Sequence, residues 1–477
     1  MPETKSPPRT LDVAPRILPP FDPAFRPMIL AVRAYEASGR ASEGIPVRLG
    51  IEREDRLVST FGLRVHTERA LDDATAFIVE RTMKFLLWSR GGWRVYFDGP
   101  SGIGAGLRAA YSERGPRAFD VRLMSRIYEK PFELILVRPE EFPAGRESQT
   151  ALGGHLDGCR IGFDLGASDY KVAAVRDGKV VYSVELPWSP SEQADPAYHS
   201  DYIRAGLRRA ADHLPRVDAI GGSAAGVYVA NQVRAASLFR SVPDAVFEEK
   251  LKPLFLKIQE EWGVPLEVIN DGEVTALAGL LSLGERAVLG IAMGSSQAAG
   301  FLDSGGHIPG WLDELAFAPV DAAPGAAVDE WSGDRGVGAN YFSQQAVNKL
   351  ALAAGFGFDA AVSLPGRLVD LQRRLERGDE RAVGIFEAIG VYLGYSIPWY
   401  ERFYELANVL VLGRVMSGRS GELIMEKALE VLKAEFPETA VRVRLHLLDE
   451  KSRRFGQAVA AASLPRLPRA AHPGGRS

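Results

Sequence analysis

The residues best suited to chemistry begin at Asp164. In the run Arg160 to Val175, RIGFDLGASDYKVAAV, apolar residues alternate (Ile161, Phe163, Leu165), give way to Gly166-Ala167-Ser168, and resume at Val172. Alternation on both sides of a small-residue turn predicts a β-hairpin. Asp164 stands beside that turn, where its carboxylate could hold Mg²⁺ near phosphate oxygens. Gly166 and its small neighbours would let an anion approach backbone N–H groups. A purely structural hairpin carries the same pattern, so the weight of the motif depends on what the chain supplies downstream. A second carboxylate, Asp271, sits in Asn270-Asp271-Gly272 ahead of an apolar stretch. Taken alone, that tripeptide reads as a helix N-cap.

Positioning such groups requires regular elements, and the composition allows them. The chain has 477 residues, 46% hydrophobic and 25% charged, with a formal net charge of −4. Its length suggests roughly two to four domains, and its charge gives no reason to expect nucleic acid or an anionic membrane as partner. Cys159 is the only cysteine, so neither an intrachain disulfide nor a zinc site of several thiolates can form. No apolar run approaches the ~20 residues of a membrane span, and the proline-rich N-terminus does not resemble a secretory signal. A cytoplasmic protein is expected.

Along the chain, residues 1–27 and 465–477 are rich in proline and charge and are expected to be disordered tails. Residues 28–150 read as an α/β module: strands near Val47 and Leu57, a helix over DATAFIVERTMKFLLWSR, then strands WRVYFDG and FELILVR. Its order loosely matches the segment after Arg160, which suggests a degenerate copy. From Arg160 the order is hairpin, helix, strand into glycines (VDAIGGSAAGVYV), helices, strand (LEVIND), helix, and a second hairpin (AVLGIAMGSSQAAGFLDSGG). Long helices, strand NVLVLG, helix, strand VRVRLHLL and a last helix follow. Two hairpin-led α/β blocks suggest two lobes with a cleft between them.

Residues 160 to about 463 resemble the ROK family of sugar kinases and repressors, within the actin-like, hexokinase-like ATPases. Asp164, Gly166, Ala167 and Ser168 are similar to the family's first phosphate loop, Asp-x-Gly-Gly-Thr-Lys, with Asp169 where the family has Lys. Asn270-Asp271 matches its Asn-Asp pair, whose Asp is the catalytic base. Gly294 and Ser295, in GIAMGSSQAAG, occupy the second phosphate loop, and Gly413, in NVLVLGRVMSG, the glycines beside adenosine. On the sugar side the likeness weakens. Asp313-Glu314-Leu315-Ala316-Phe317 stands for Gly-Glu-x-Gly-His, keeping Glu314 and replacing His by Phe317. Gly333 to Tyr341 stands for the zinc motif, with Val337 at a cysteine and Ala339 at the sugar-binding Glu. Ser237 stands for the sugar-gripping Asn.

The resemblance implies an α/β, two-lobed actin-like ATPase (RNase H-like) fold with an additional N-terminal module. Residues 151–268 with 450–464 would form one lobe and 269–449 the other. It implies ATP and Mg²⁺, no zinc, and transfer of the γ-phosphate to a hydroxyl of a sugar or sugar-like metabolite. Asp271 would be the base, Asp164 would position Mg²⁺ through water, and Gly166, Ser168, Gly294, Ser295 and Gly413 would face the nucleotide. Glu314, Asn270 and Ser237 would orient the acceptor, with Phe317 and Trp311 as stacking faces. Without zinc, Trp331 and Tyr341 are expected to hold the loop by packing. The alternative is a non-catalytic metabolite-binding or regulatory protein. A repressor would need a basic helix-turn-helix before Arg160, and residues 47–138 do not read as one. The N-terminal module could also supply a homodimer contact.

Overall fold

Alternating apolar residues punctuated by small-residue turns give this chain hairpin-led sheets, and two of these share one wiring. The computed structural model describes residues 8, 11–38, 44–66, 68, 72–148, 153–166, 169–447 and 450–467. They fall into two units, Met1–Thr150 with Glu285–Glu450, and Ala151–Gly284 with Lys451–Ser477.

In the first unit, residues 11–27 are not the disordered arm expected from their prolines. Leu11 and Phe25 are buried, and Phe25 packs on the rings of Tyr341, Tyr392 and Tyr395. Asp22 accepts hydrogen bonds from the Tyr392 hydroxyl and the Lys349 ammonium. Burying these anchors outweighs the modest entropy of ordering a proline-stiffened strap. Of the expected C-terminal tail, only residues 465–467 lie among those described.

The strap leads into α1 (Met28–Ser38), β1 (Ile45–Glu52), β2 (Val58–Val65), α2 (Asp72–Arg90), β3 (Arg94–Asp98), α3 (Ser101–Ala110), α4 (Ala118–Tyr128) and β4 (Glu133–Leu136). The sheet order is β2-β1-β3-β4. β3 runs antiparallel to β1, with Phe97 opposite Leu49, and parallel to β4. That direction corrects the expectation of a degenerate copy, since in both blocks described next the strand beside the hairpin's first strand runs parallel to it.

The second unit carries β5 (Cys159–Leu165), β6 (Asp169–Arg176), β7 (Lys179–Pro187), α5 (Pro196–Ala211), β8 (Ala219–Ala224), β9 (Val227–Val229), β10 (Gln232–Ala235), α6 (Asp244–Val246), α7 (Leu254–Trp262), β11 (Leu266–Asn270) and α8 (Asp271–Leu283). Its sheet runs β11-β8-β5-β6-β7. β5, β6 and β7 are antiparallel neighbours, while β8 is parallel to β5 and to β11. Ile161, Phe163, Ile203, Leu207, Phe255 and Ile258 are among the residues filling the core on one face.

The first unit resumes with β12 (Val288–Met293), β13 (Gln297–Leu302), α9 (Gln344–Ala353), α10 (Leu364–Glu376), α11 (Glu380–Tyr400), β14 (Asn408–Leu412), α12 (Arg419–Glu435), α13 (Pro437–Arg442) and β15 (Arg444–Leu447). Here too an antiparallel hairpin, β12–β13, is flanked by parallel strands, in the order β13-β12-β14-β15. Finally α14 (Glu450–Ala462) returns to the second unit's sheet. It packs so closely that a Cβ on Gly162 or Gly221 would meet the carbonyl oxygen of Ala458 or Ala461 at 1.7 Å.

Candidate functional site

Asp164 is the penultimate residue of β5, the inner strand of the second unit's hairpin, and Asp271 begins the helix after β11, one strand beyond β8 in the same sheet. The sheet order therefore carries both acidic positions to one end of three parallel strands, β5, β8 and β11, the usual place for a site in an α/β sheet. Asp164 is 4% exposed. Its Oδ1 accepts a hydrogen bond from Ser223 Oγ at 2.8 Å, and its Oδ2 lies 3.6 Å from Lys171 Nζ. Burial raises its pKa, opposed by Lys171 and Ser223.

Asp271 is partly exposed as a residue, yet its Oδ1 is buried and has no hydrogen-bond partner among the described residues. Desolvation, reinforced by the charge of Asp164, pushes its carboxyl up to about 7, against its own and Gly272's backbone N–H. Its backbone is firmly placed: the carbonyl accepts from Thr275 Oγ1 at 2.8 Å and from Gln457 Nε2 on α14 at 3.2 Å. Asn270 is the N-cap, its Oδ1 accepting from Gly272 N–H at 2.7 Å. Its Nδ2 donates to the Gly226 carbonyl at 2.7 Å. Asn270 therefore caps the helix, while Asp271 Oδ1 is left without a hydrogen-bond partner among the described residues.

Gly166 closes the hairpin turn: its N–H donates to the Asp169 carbonyl at 2.9 Å and its carbonyl accepts from Trp188 Nε1 at 2.8 Å. Ala167 and Ser168, the rest of that loop, lie outside the described residues. The charge reversal expected at Asp169 does not stand alone, since Asp169 Oδ1 lies 2.8 Å from Lys171 Nζ. Lys171 was not singled out from the sequence. Counting pairs back from the turn would have found it, because it stands directly opposite Asp164. Ser237 is exposed, at the start of a short 3₁₀ turn after β10.

In the first unit, Gly294 and Ser295 form the tip of the β12–β13 hairpin, with Ser295 exposed. Gln344 N–H donates to the Gly294 carbonyl at 2.9 Å, anchoring the tip on α9. Gly413 packs against the base of the same tip, with φ +105° and a prospective Cβ only 2.5 Å from the Met293 carbonyl oxygen. The structure thus gathers Gly294, Ser295 and Gly413, predicted from separate stretches, into one glycine-backed turn.

The sugar-side expectations fare differently. Glu314 is half-buried, and with Leu312 and Asp313 it donates backbone N–H bonds to the carbonyls of Trp88, Arg90 and Ser89 at the end of α2. Phe317 offers no stacking face, since it is 5% exposed and covered by Trp88, Phe119 and Trp331. Trp311 is also spent, stacked on Phe301 with ring centroids 5.4 Å apart and carrying the Arg90 guanidinium 3.4 Å from its ring centroid. Both faces are consumed internally because apolar surface left open is costly.

Packing by Trp331 and Tyr341 accounts for only part of the loop that replaces the zinc motif. Tyr341 is buried and donates to Asp321 at 2.5 Å, but Trp331 is 55% exposed. Asp334, in the middle of the loop, instead meets Arg117 Nη1 at 2.7 Å, Lys84 Nζ at 3.1 Å and Arg81 Nη1 at 3.3 Å. These cations come from α2 and the residue preceding α4, so an ion cluster grips the segment that the family resemblance would staple with metal. Among the described residues, no group of three or more His, Cys, Asp or Glu is placed to hold a metal ion, and no helix is long and apolar enough to cross a membrane.

No family model matches the sequence, and no curated protein does. Solved structures do. A ROK family glucokinase from Streptomyces griseus, in complex with glucose and AMPPNP, aligns over 65% of this chain and 99% of its own at 21% identity, TM-score 0.49. A ROK hexokinase from Thermus thermophilus covers 64% of this chain and 97% of its own at 18% identity, TM-score 0.48. A ROK family transcriptional regulator, a homologue of the E. coli MLC protein, covers 65% of this chain and 79% of its own at 18% identity, TM-score 0.51. The likeness to the regulator shows the fold, the α/β, actin-like ATPase type expected from the motifs.

Proposed function

We propose that this chain is a divergent ROK protein that transfers the γ-phosphate of ATP to a hydroxyl of a sugar or sugar-like metabolite. The observation carrying this reading is the Asp271 carboxylate, whose buried Oδ1 lacks a partner among the described residues and whose pKa of about 7 suits a base working near neutrality. Phosphoryl transfer asks little covalent chemistry of a protein; it asks for an oriented nucleophile and neutralised charge. Asp271 would accept the proton of the attacking hydroxyl at its carboxylate. Asn270 would fix the backbone from which it projects, and Glu314 remains the carboxylate assigned to the acceptor, with Ser237 a weaker candidate because of its exposure.

Asp164 fits Mg²⁺ only in part. One oxygen is taken by Ser223 and the other faces an ammonium, so the ion would be held through water and would keep phosphate oxygens as its main protein-independent ligands. When bound with the triphosphate, Mg²⁺ would supply charge neutralisation for the transferring group. Gly166, Ser168, Gly294, Ser295 and Gly413 are the positions that the family resemblance assigns to the nucleotide.

A second reading, a metabolite-binding or regulatory protein without catalysis, is favoured by the loss of Phe317 and Trp311 as open ring faces. Calorimetric titration with Mg-ATP, followed by ADP release across a panel of monosaccharides, separates the two. Saturable Mg-ATP binding with sugar-dependent ADP release supports the kinase, whereas metabolite binding with no nucleotide uptake supports the alternative.

A further inference from the structure

One ammonium and three carboxylates share a face of the second unit's sheet. Lys171 on β6 stands opposite Asp164 on β5 and opposite Glu185 on β7. Asp169 precedes Lys171 by two residues on the same strand, so the side chains of all four point the same way. Lys171 Nζ lies 2.8 Å from Asp169 Oδ1 and 3.6 Å from Asp164 Oδ2, with 19% of its side chain exposed. Because Ser223 occupies the other oxygen of Asp164, the remaining oxygen turns toward the ammonium. The hairpin register fixes this meeting, since Asp164 and Lys171 are a directly paired couple.

An ammonium and a divalent cation compete for the same carboxylate oxygens. Mg²⁺ would need to shed water and approach to about 2.0–2.1 Å, in a place where a tethered cation is already delivered by the backbone pairing. We propose that Lys171 is a positioning residue acting as a tethered counter-cation. It keeps Asp164 and Asp169 from holding a resident divalent ion, so that the metal enters only as its complex with a polyphosphate. This inference rests on the phosphoryl-transfer reading for its purpose, though not for its test. Without the lysine, the Asp164 and Asp169 carboxylates would lose the counter-cation they share, and a divalent cation would meet less competition for their oxygens.

The experiment is Mn²⁺ titration of the full chain without nucleotide, read by the electron paramagnetic resonance signal of the free ion. The wild type, Lys171→Met and Lys171→Arg are compared. Lys171→Met should bind Mn²⁺ at least about tenfold more tightly than the wild type, while Lys171→Arg, which keeps the cation, should behave as the wild type does. Equal Mn²⁺ affinity in the wild type and Lys171→Met, whether tight or weak, overturns the proposal. Should circular dichroism show that Lys171→Met does not fold, Lys171→Gln is read by the same criterion. Calorimetric titration of the wild type with Mn-ATP then tests the parent reading separately: if no heat of binding is seen, nucleotide binding fails while the role of Lys171 stands on the titrations without nucleotide.

Discussion

Replacing Asp334 by Asn should destabilise the first unit by about 3–5 kcal/mol, the usual cost of removing one partner from a buried ion network. Three cations, Arg81, Lys84 and Arg117, face three carboxylates, Glu80, Asp120 and Asp334. Glu80 is the most exposed of them at 17%, and Asp334 is 4% exposed. Asparagine keeps the shape of the side chain but removes its charge, so two carboxylates must serve three cations that water cannot reach. The neighbouring Arg81 and Lys84 hold the Asp334 carboxyl below its usual range against the cost of burial. For such a depressed group the stabilisation is fully present above the unfolded value near 3.8 and is lost as pH falls toward the folded value. The penalty of Asp334→Asn should therefore be full at pH 7 and shrink below pH 4. Urea unfolding followed by tryptophan fluorescence suits the measurement, because Trp88 Nε1 donates to Asp120 inside the cluster. With a urea slope of about 1–3 kcal/mol/M, the midpoint should fall by at least about 1 M at pH 7. A midpoint unchanged within about 0.2 M would show that charge does not hold this loop.

Asp271→Asn should stabilise the fold in a pH-dependent way. A carboxyl raised from 3.8 to about 7 binds more protons folded than unfolded across that interval, so its cost grows as pH rises from about 4 and is complete above about 7. Roughly three pKa units correspond to at most about 4 kcal/mol. The gain on substitution should approach that ceiling at pH 8 and vanish near pH 3.5; urea titrations showing the same gain at both would refute the assignment. Gly413→Ala forces a side chain into a left-handed backbone and against the Met293 carbonyl, which should cost about 2 kcal/mol or more. Its melting temperature should fall, and a wild-type value would mean that the glycine-backed turn is not rigid.

The parts of this fold legible in the sequence are those set by short-range pattern. Alternation around a small-residue turn located β5–β6, and the expected hairpin AVLGIAMGSSQAAGFLDSGG and helices over DATAFIVERTMKFLLWSR and after LEVIND match β12–β13, α2 and α8. Asp164 and Asp271 were visible because each ends a strand or opens a helix. What escaped depends on contacts between residues far apart in sequence. Phe25 anchors the strap only through rings more than three hundred residues away. Asp334 is an ordinary loop aspartate until Arg81, Lys84 and Arg117 surround it. Phe317 looked like a stacking face because no local pattern shows that Trp88 and Phe119 will cover it. The direction of β3 was equally hidden, since an α/β order of elements is compatible with either pairing.

The most direct test is the pH dependence of ADP release from Mg-ATP in the presence of an accepting sugar, for the wild type and Asp271→Asn. The account predicts that wild-type turnover rises through about pH 7, where Asp271 loses its proton, and that Asp271→Asn, though folded, releases ADP no faster with sugar than without. A sugar-dependent rate that Asp271→Asn retains in full would contradict it.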